Sequence, residues 1–584
     1  MDKTILNNIV SRISSDDEQY RVLKSDNKRI MVEAPPGYGK TNLLINKTIY
    51  DLYKGVPKNH EKVLMITFSV NSVSKMEKDF RHGINSFSAN TKKWMIKKID
   101  IRNFHGFARS ILSKYGWLLT SKLKMFRDFK IVSENELRDI SNYRLLSNFS
   151  KWVQNLKLDN INKSLYKYNK IIIEEVISRN KMTYNAILTL TIQLLEDYPK
   201  LLNFYRRLYT KIIIDEFQDI NYLNYRLIEL LMHENLIIEV YGDSLQRIYG
   251  FIGTIPNIFD EFGERYKFNN YKLNTNYRFK NNINMLKLEK RIRNFVNYPI
   301  EFQNPLYTNN FNLYSDHSSE INGVTNKIQK LLEKEQNKKI AILTSQRGKG
   351  INSLKKRLKS EKIDYFNALS LDTESEKYKE FCDNCASSFN DYFYKTQRRR
   401  ILKEKLNSWY RKFSEIHYSD DPEIRSFFTL LRTCLKETIK EETYRRKTHE
   451  EKFVHLHNIF IERSLHRFLS KVESRVHILT IHTSKGLEWD YVFLINIEQN
   501  KLPNKRSMCQ HCLFADDCNF VLDETNQRSF LEELSVFYVA VTRAKSNLYM
   551  SASQKDSLNR AVNLSCILTT INLKPNLAVQ QQSN

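Results

Sequence analysis

Residues 29–53 read RIMVEAPPGYGKTNLLINKTIYDLY. A short β-type run enters a turn rich in Pro and Gly, and a Lys-Thr pair then opens a segment with helical apolar spacing. Strand, glycine turn and helix in that order form a phosphate-binding loop. Gly37 and Gly39 let the backbone turn its N–H groups inward around phosphate oxygens, with the positive end of the helix dipole behind them. Lys40 is placed to reach the β- and γ-phosphates, and the Thr41 hydroxyl to coordinate Mg²⁺. Ala34 stands where the pattern usually has its first glycine, and Pro35, Pro36 and Tyr38 complete the nucleotide cradle from Ala34 to Thr41.

The partner of this loop is KIIIDEFQD, Lys211 to Asp219. The isoleucines put Asp215 and Glu216 at the carboxyl end of a buried strand, where open α/β sheets bind ligands. Adjacent carboxylates there divide their tasks. Asp215 holds the Mg²⁺ shell, and Glu216 polarises the attacking water.

Further β-type runs lie at 62–68 and 236–243, and a second group at 339–345, 477–484, 491–497 and 547–553. All are rich in Ile, Val, Leu or Tyr and alternate with helical patterns, as buried parallel strands do. The expectation is an α/β protein with two separate α/β cores. Residues ~110–200 and ~376–470 are charged, helix-like and poor in Gly and Pro. The tail beyond ~570 is polar and expected to fray.

The chain has 584 residues, 41% of them hydrophobic and 12% aromatic, which excludes a mainly disordered protein. No apolar stretch approaches the ~18 residues of a membrane span, and the start carries no secretory pattern, so a cytoplasmic protein without a membrane partner is expected. Seven cysteines do not make a disulfide scaffold at this length. A formal net charge of +27 favours a polyanionic partner, nucleic acid foremost, although AT-rich coding would also enrich Lys, Asn, Ile and Tyr.

Together with the two nucleotide motifs, six further stretches identify a family. TFSVNSVSKM (67–76), NFHGFA (103–108), YGDSLQRIYGFIG (241–253), NYR (276–278), IHTSKGLEWDYVFL (481–494) and FYVAVTRAKSNLYM (537–550) follow one another in order. The sequence resembles the UvrD/Rep/PcrA group of superfamily 1 helicases, whose motifs Ia, Ib, III, IV, V and VI these match. The resemblance implies two RecA-like P-loop domains, 1A and 2A, with mainly helical insertions 1B and 2B. On that plan 1A comprises 1–110 and 200–275, 1B is 111–199, 2A comprises 276–375 and 471–584, and a reduced 2B is 376–470.

It also implies residue roles. Gln19 would read adenine, Tyr277 would stack on it and Glu488 would bind the ribose. Gln246 would sense the γ-phosphate, with Arg278 and Arg543 as paired fingers that act when the two cores close on ATP. Phe68, His105 and Phe251 would touch single-stranded DNA by stacking, which grips without reading sequence. His482 and Lys485 would contact its backbone. Three departures stand out. Motif III reads Phe251-Ile252-Gly253 where the family usually has Trp-Arg-Gly, Asn103 replaces a usual threonine, and the stretch between motifs IV and V is short.

Cys509-x2-Cys512-x5-Cys518, with Cys382-x2-Cys385 far upstream, could form a Cys₄ zinc site. The x2–x5 spacing also resembles the iron–sulfur staple of AddB-type nucleases. The expected activity is an ATP- and Mg²⁺-dependent helicase that translocates 3′→5′ on single-stranded DNA and unwinds tailed duplex, in repair, recombination, replication or defence. The competing expectation is a DNA-stimulated ATPase that senses DNA ends in a multiprotein complex, such as Gabija-like anti-phage defence with a nuclease partner.

Overall fold

Ile30, Met31 and Val32 are consecutive and all buried, yet they serve two different cores. Met31 packs with Leu64, Ile66, Ile212, Ile214, Ile238 and Val240. Ile30 and Val32 pack with Val63, Met65, Ile213 and Tyr241. Because side chains alternate across a strand, an unbroken apolar run is what a sheet covered on both faces requires.

The computed structural model describes residues 2–575 except 59, 69, 251–252, 298–303, 309, 346–348, 372–374, 395–399, 441–443, 445–447, 500 and 504–525. The chain divides into two units, Met1–Arg278 and Phe279–Asn584.

In the first unit the strands are β1 (Arg29–Glu33), β2 (Lys62–Thr67), β3 (Ile99–Asn103), β4 (Lys130–Val132), β5 (Lys181–Thr183), β6 (Tyr209–Ile214), β7 (Ile237–Gly242) and β8 (Asn269–Lys272). Six form one parallel sheet in the order β3-β2-β6-β7-β1-β8. Helix Lys40–Tyr53 covers one face through Leu43, Leu44, Ile45 and Ile49. The other face carries helices Phe104–Tyr115 and Tyr184–Asp197, and their core runs on into the helical stretch through Leu146, Phe149 and Leu165. That stretch also holds a small parallel pair, β4 with β5.

In the second unit the strands are β9 (Leu306–Thr308), β10 (Phe311–Tyr314), β11 (Ile340–Thr344), β12 (Phe366–Asn367), β13 (Val476–Thr480), β14 (Trp489–Leu494), β15 (Ala544–Ser553) and β16 (Leu573–Pro575). Its parallel sheet has the order β10-β15-β14-β11-β13-β12, and β16 pairs with β9 apart from it. Between β12 and β13 the described residues include the α-helices Glu376–Tyr394, Lys403–His417, Pro422–Lys440 and His449–Ile461. Rings fill their core, with Phe389, Trp409, Phe413, Phe428 and Phe460 in mutual contact.

Two of the five cysteines expected as metal ligands lie in this helical core. Cys382 and Cys385, read as metal ligands, are fully buried free thiols on one helix. Burial pushes the Cys382 thiol up to about 12 and raises that of Cys385 well above its ordinary value. Cys434 is buried in the same way. Among the described residues no group of three His, Cys, Asp or Glu side chains is arranged to hold a metal ion. Cys509, Cys512 and Cys518 lie outside the described residues. No helix among the described residues is long and apolar enough to cross a membrane.

Candidate functional site

Three adjacent strands of the first sheet, β6, β7 and β1, end side by side, and each delivers polar groups at its carboxyl end. From β1 the chain enters the glycine loop. Gly37 and Gly39 have φ of +88° and +81°, a left-handed backbone that favours glycine. A Cβ at Gly37 would stand 2.6 Å from Arg278 Cβ, and one at Gly39 would stand 2.9 Å from Gln19 Nε2. The loop is therefore pressed against both segments, and Tyr277 N–H donates to the Gly37 carbonyl at 2.8 Å.

Lys40 opens the following helix, and its Nζ lies 3.1 Å from Asp215 Oδ1 and 3.1 Å from Glu216 Oε1, both just beyond β6. Burial works against the Lys40 charge, but the two carboxylates outweigh it and push its pKa up. Asp215 is raised by burial, with Lys40 opposing. The Lys40 ammonium, 3.1 Å away, is the counter-charge at its Oδ1. Thr41, half-buried, follows Lys40 on the same first turn.

Glu216 has φ +56°, unusual for a residue with a side chain, and such strain clusters at functional sites. Gln218 holds its second oxygen, Nε2 donating to Glu216 Oε2 at 2.6 Å, and Gln218 Oε1 accepts from Asp243 N–H beyond β7. Gln246, buried, donates through Nε2 to Asp243 Oδ2 at 2.9 Å.

On the far side of the loop Asp16 caps helix Asp17–Lys24. Its carboxylate accepts from Gln19 N–H and Nε2 and, at 2.6 Å, from Tyr277 OH. Burial and then Asp16 push the Tyr277 hydroxyl up to about 12. Gln19 Nε2 also reaches the Tyr38 carbonyl at 3.4 Å. Gln19 and Tyr277, read separately from sequence, thus meet at Asp16, which sequence reasoning missed although the D-x-x-Q spacing of Asp16 and Gln19 is a capping signal. Gln218 and Asp243 were missed too. They sit inside motifs II and III, where the better-known neighbours drew the assignment.

Residues 15–167 and 146–267 match the UvrD/REP helicase N-terminal domain, and residues 367–555 match the UvrD-like helicase C-terminal domain. The chain belongs to the UvrD/REP helicase family. Similar proteins include a probable DNA helicase II homolog of Mycoplasma genitalium, 24% identical over 93% of this chain and 85% of that protein. DNA helicase II of Rickettsia typhi is 23% identical over 94% and 93%, and ATP-dependent DNA helicase Rep of Buchnera aphidicola is 22% identical over 92% and 93%.

The remaining expected contacts of this UvrD-like helicase fall in both units. In the first, Phe68 stacks on Tyr249 with centroids 5.0 Å apart. His105 meets the edge of Tyr184, and burial lowers its pKa to about 4, so the ring is neutral. Asn103 caps helix Phe104–Tyr115 by accepting from Gly106 N–H at 2.8 Å, which a threonine hydroxyl could also do. Phe251 and Ile252 lie outside the described residues.

In the second unit His482 and Lys485 lie in the turn after β13, half-buried. Glu488 pairs with Lys545 at 3.3 Å. Arg543 is buried, its guanidinium donating to the carbonyls of Val539 and Leu487 at 2.9 and 3.2 Å. A role on a phosphate would exchange some of these neutral carbonyl acceptors for ionised oxygens.

Proposed function

We propose that this chain is an ATP-dependent DNA helicase that moves 3′→5′ on single-stranded DNA and separates duplex ahead of it. The observation that supports the reading most is Lys40, 3.1 Å from each of two carboxylates beneath a glycine loop. In this reading the loop 34–41 binds the triphosphate through its N–H groups, and Lys40 turns from its carboxylates to the β- and γ-phosphates. Asp215, a buried carboxylate, and Thr41, a hydroxyl on the first turn of the loop helix, are oxygen donors of the kind Mg²⁺ takes. Bound there, Mg²⁺ would supply positive charge to the β- and γ-phosphate oxygens.

Glu216, oriented by Gln218, positions the attacking water and accepts its proton. Gln246 answers to the γ-phosphate through its tether on Asp243, and Arg278 and Arg543 stabilise the charge that develops on it. Gln19 reads the adenine edge, Tyr277 stacks on the ring and Glu488 binds the ribose. Phe68, His105 and Phe251 stack against the DNA strand, and His482 and Lys485 contact its phosphates. The polarity rests on family membership alone.

ATP turnover measured with and without single-stranded DNA, followed by unwinding of 3′- and 5′-tailed duplexes, tests this. Stimulated turnover with opening of the 3′-tailed duplex alone is expected. Stimulated turnover with neither duplex opened would favour an end-sensing subunit with a nuclease or repair partner, in line with Ile252 where the family usually carries a cationic arginine.

A further inference from the structure

Below the nucleotide site the same helix meets the same sheet through a second layer of charge. Lys47 and Asp51 lie seven and eleven residues after Lys40, so all three share one face of helix Lys40–Tyr53. Lys211 on β6 and Asp215, the residue just beyond its end, are four apart, so both fall on the same side of the sheet. At this lower level Lys47 and Lys211 face Asp51 and Glu239, and all four side chains are buried.

Lys211 Nζ bonds both Asp51 and, at 2.6 Å, Glu239 of β7. Lys47 Nζ is 3.1 Å from Asp51 and 3.8 Å from Glu239, and it donates to the Ser25 carbonyl at 2.9 Å. Tyr241 OH donates to the other Glu239 oxygen at 2.9 Å. Burial opposes these charges, but the carboxylates hold Lys211 up at about 12, and the two lysines hold Asp51 low.

Two positive and two negative charges cancel, so the group is neutral. Burying such a group stabilises a fold little, because desolvation consumes most of the attraction, and an apolar replacement of like volume often does as well. Buried ionic groups can instead fix register, since a slipped arrangement strands a charge. We infer that Lys47, Asp51, Lys211 and Glu239 are positioning residues that set the register of the loop helix on β6 and β7. They thereby set the distance from Lys40 to Asp215. This rests on the ATPase reading of the upper layer.

The test is the neutral double variant Lys211→Met/Glu239→Gln, which keeps an acceptor for Tyr241 and leaves Lys47 paired with Asp51. We expect a melting temperature within a few degrees of wild type and kcat lowered about tenfold. The Mg²⁺ concentration for half-maximal turnover should rise several-fold, single-stranded DNA binding should be unchanged, and Lys211→Arg should recover most of the rate. A stable double variant with wild-type kcat and Mg²⁺ midpoint overturns the inference while leaving the ATPase reading intact. Absent turnover in the wild-type protein overturns both.

Hydrogen exchange on the wild-type protein needs no variant to fold. Amides of residues 48–52 should exchange as slowly as those of 212–214, and helix amides that open independently of β6 would overturn the register role.

Discussion

Lys40 shows how one side chain can carry both chemistry and stability. Burial raises the pKa of Asp215, so the folded protein holds that proton to a higher pH than the unfolded chain does. Ionising Asp215 therefore costs stability as pH climbs above the ordinary carboxylate range, and the Lys40 ammonium offsets that cost. Lys40→Ala should lower turnover by at least about a hundredfold. It should also make the melting temperature fall from pH 5 to pH 8 more steeply than in wild type, as thermal melts across that range will report.

Glu216 carries the opposite balance, because its left-handed backbone is strain retained for the carboxylate. Asparagine tolerates that backbone, so Glu216→Asn should hold or raise the melting temperature while turnover drops at least about a hundredfold. At Asp16 three hydrogen bonds converge on a carboxylate. Asp16→Ala should raise KM for ATP several-fold with kcat nearly unchanged, the mark of lost uniform binding, and weaken the preference for ATP over GTP.

At the scale of elements, the Asn103 cap ties β3 to helix Phe104–Tyr115, which carries His105. Asn103→Ala should cost about 1 kcal/mol in denaturant unfolding, whereas Asn103→Thr should cost much less. Legibility follows burial here. β1, β2, β6, β7, β11, β13, β14 and β15 were all readable because strands covered on both faces are rich in Ile, Val, Leu or Tyr. β3, β8, β10 and β12 escaped notice, and all four are edge strands of the two sheets. β8 reads NNYK and is mostly exposed, so its strand character comes from pairing with β1 rather than from its own residues. The same distinction runs through the site. Lys40, Asp215 and Glu216 sit in local motifs, whereas the lower charge layer draws on a helix and two strands far apart in sequence. Lysines and carboxylates scattered through apolar runs read as surface residues until the fold brings them together.

For the whole molecule the open quantity is the surplus of 27 positive charges. It would reflect coding bias if spread evenly over the surface, or a binding groove if it follows a strand of phosphates. The two differ in salt dependence, since each phosphate neutralised on a single strand contributes about −0.7 to the slope of log affinity against log salt. A groove that engages about six phosphates gives a slope near −4, roughly a few hundredfold weaker binding from 50 to 200 mM salt. Turnover without DNA should change far less over that range, because Lys40 and Asp215 are buried and buried pairs are screened little. Fluorescence anisotropy of a labelled oligonucleotide, run beside the ATPase assay in the same buffers, measures both. A slope shallower than about −1 would assign the surplus to composition, and would leave aromatic stacking at Phe68 and its neighbours as the main hold on the strand.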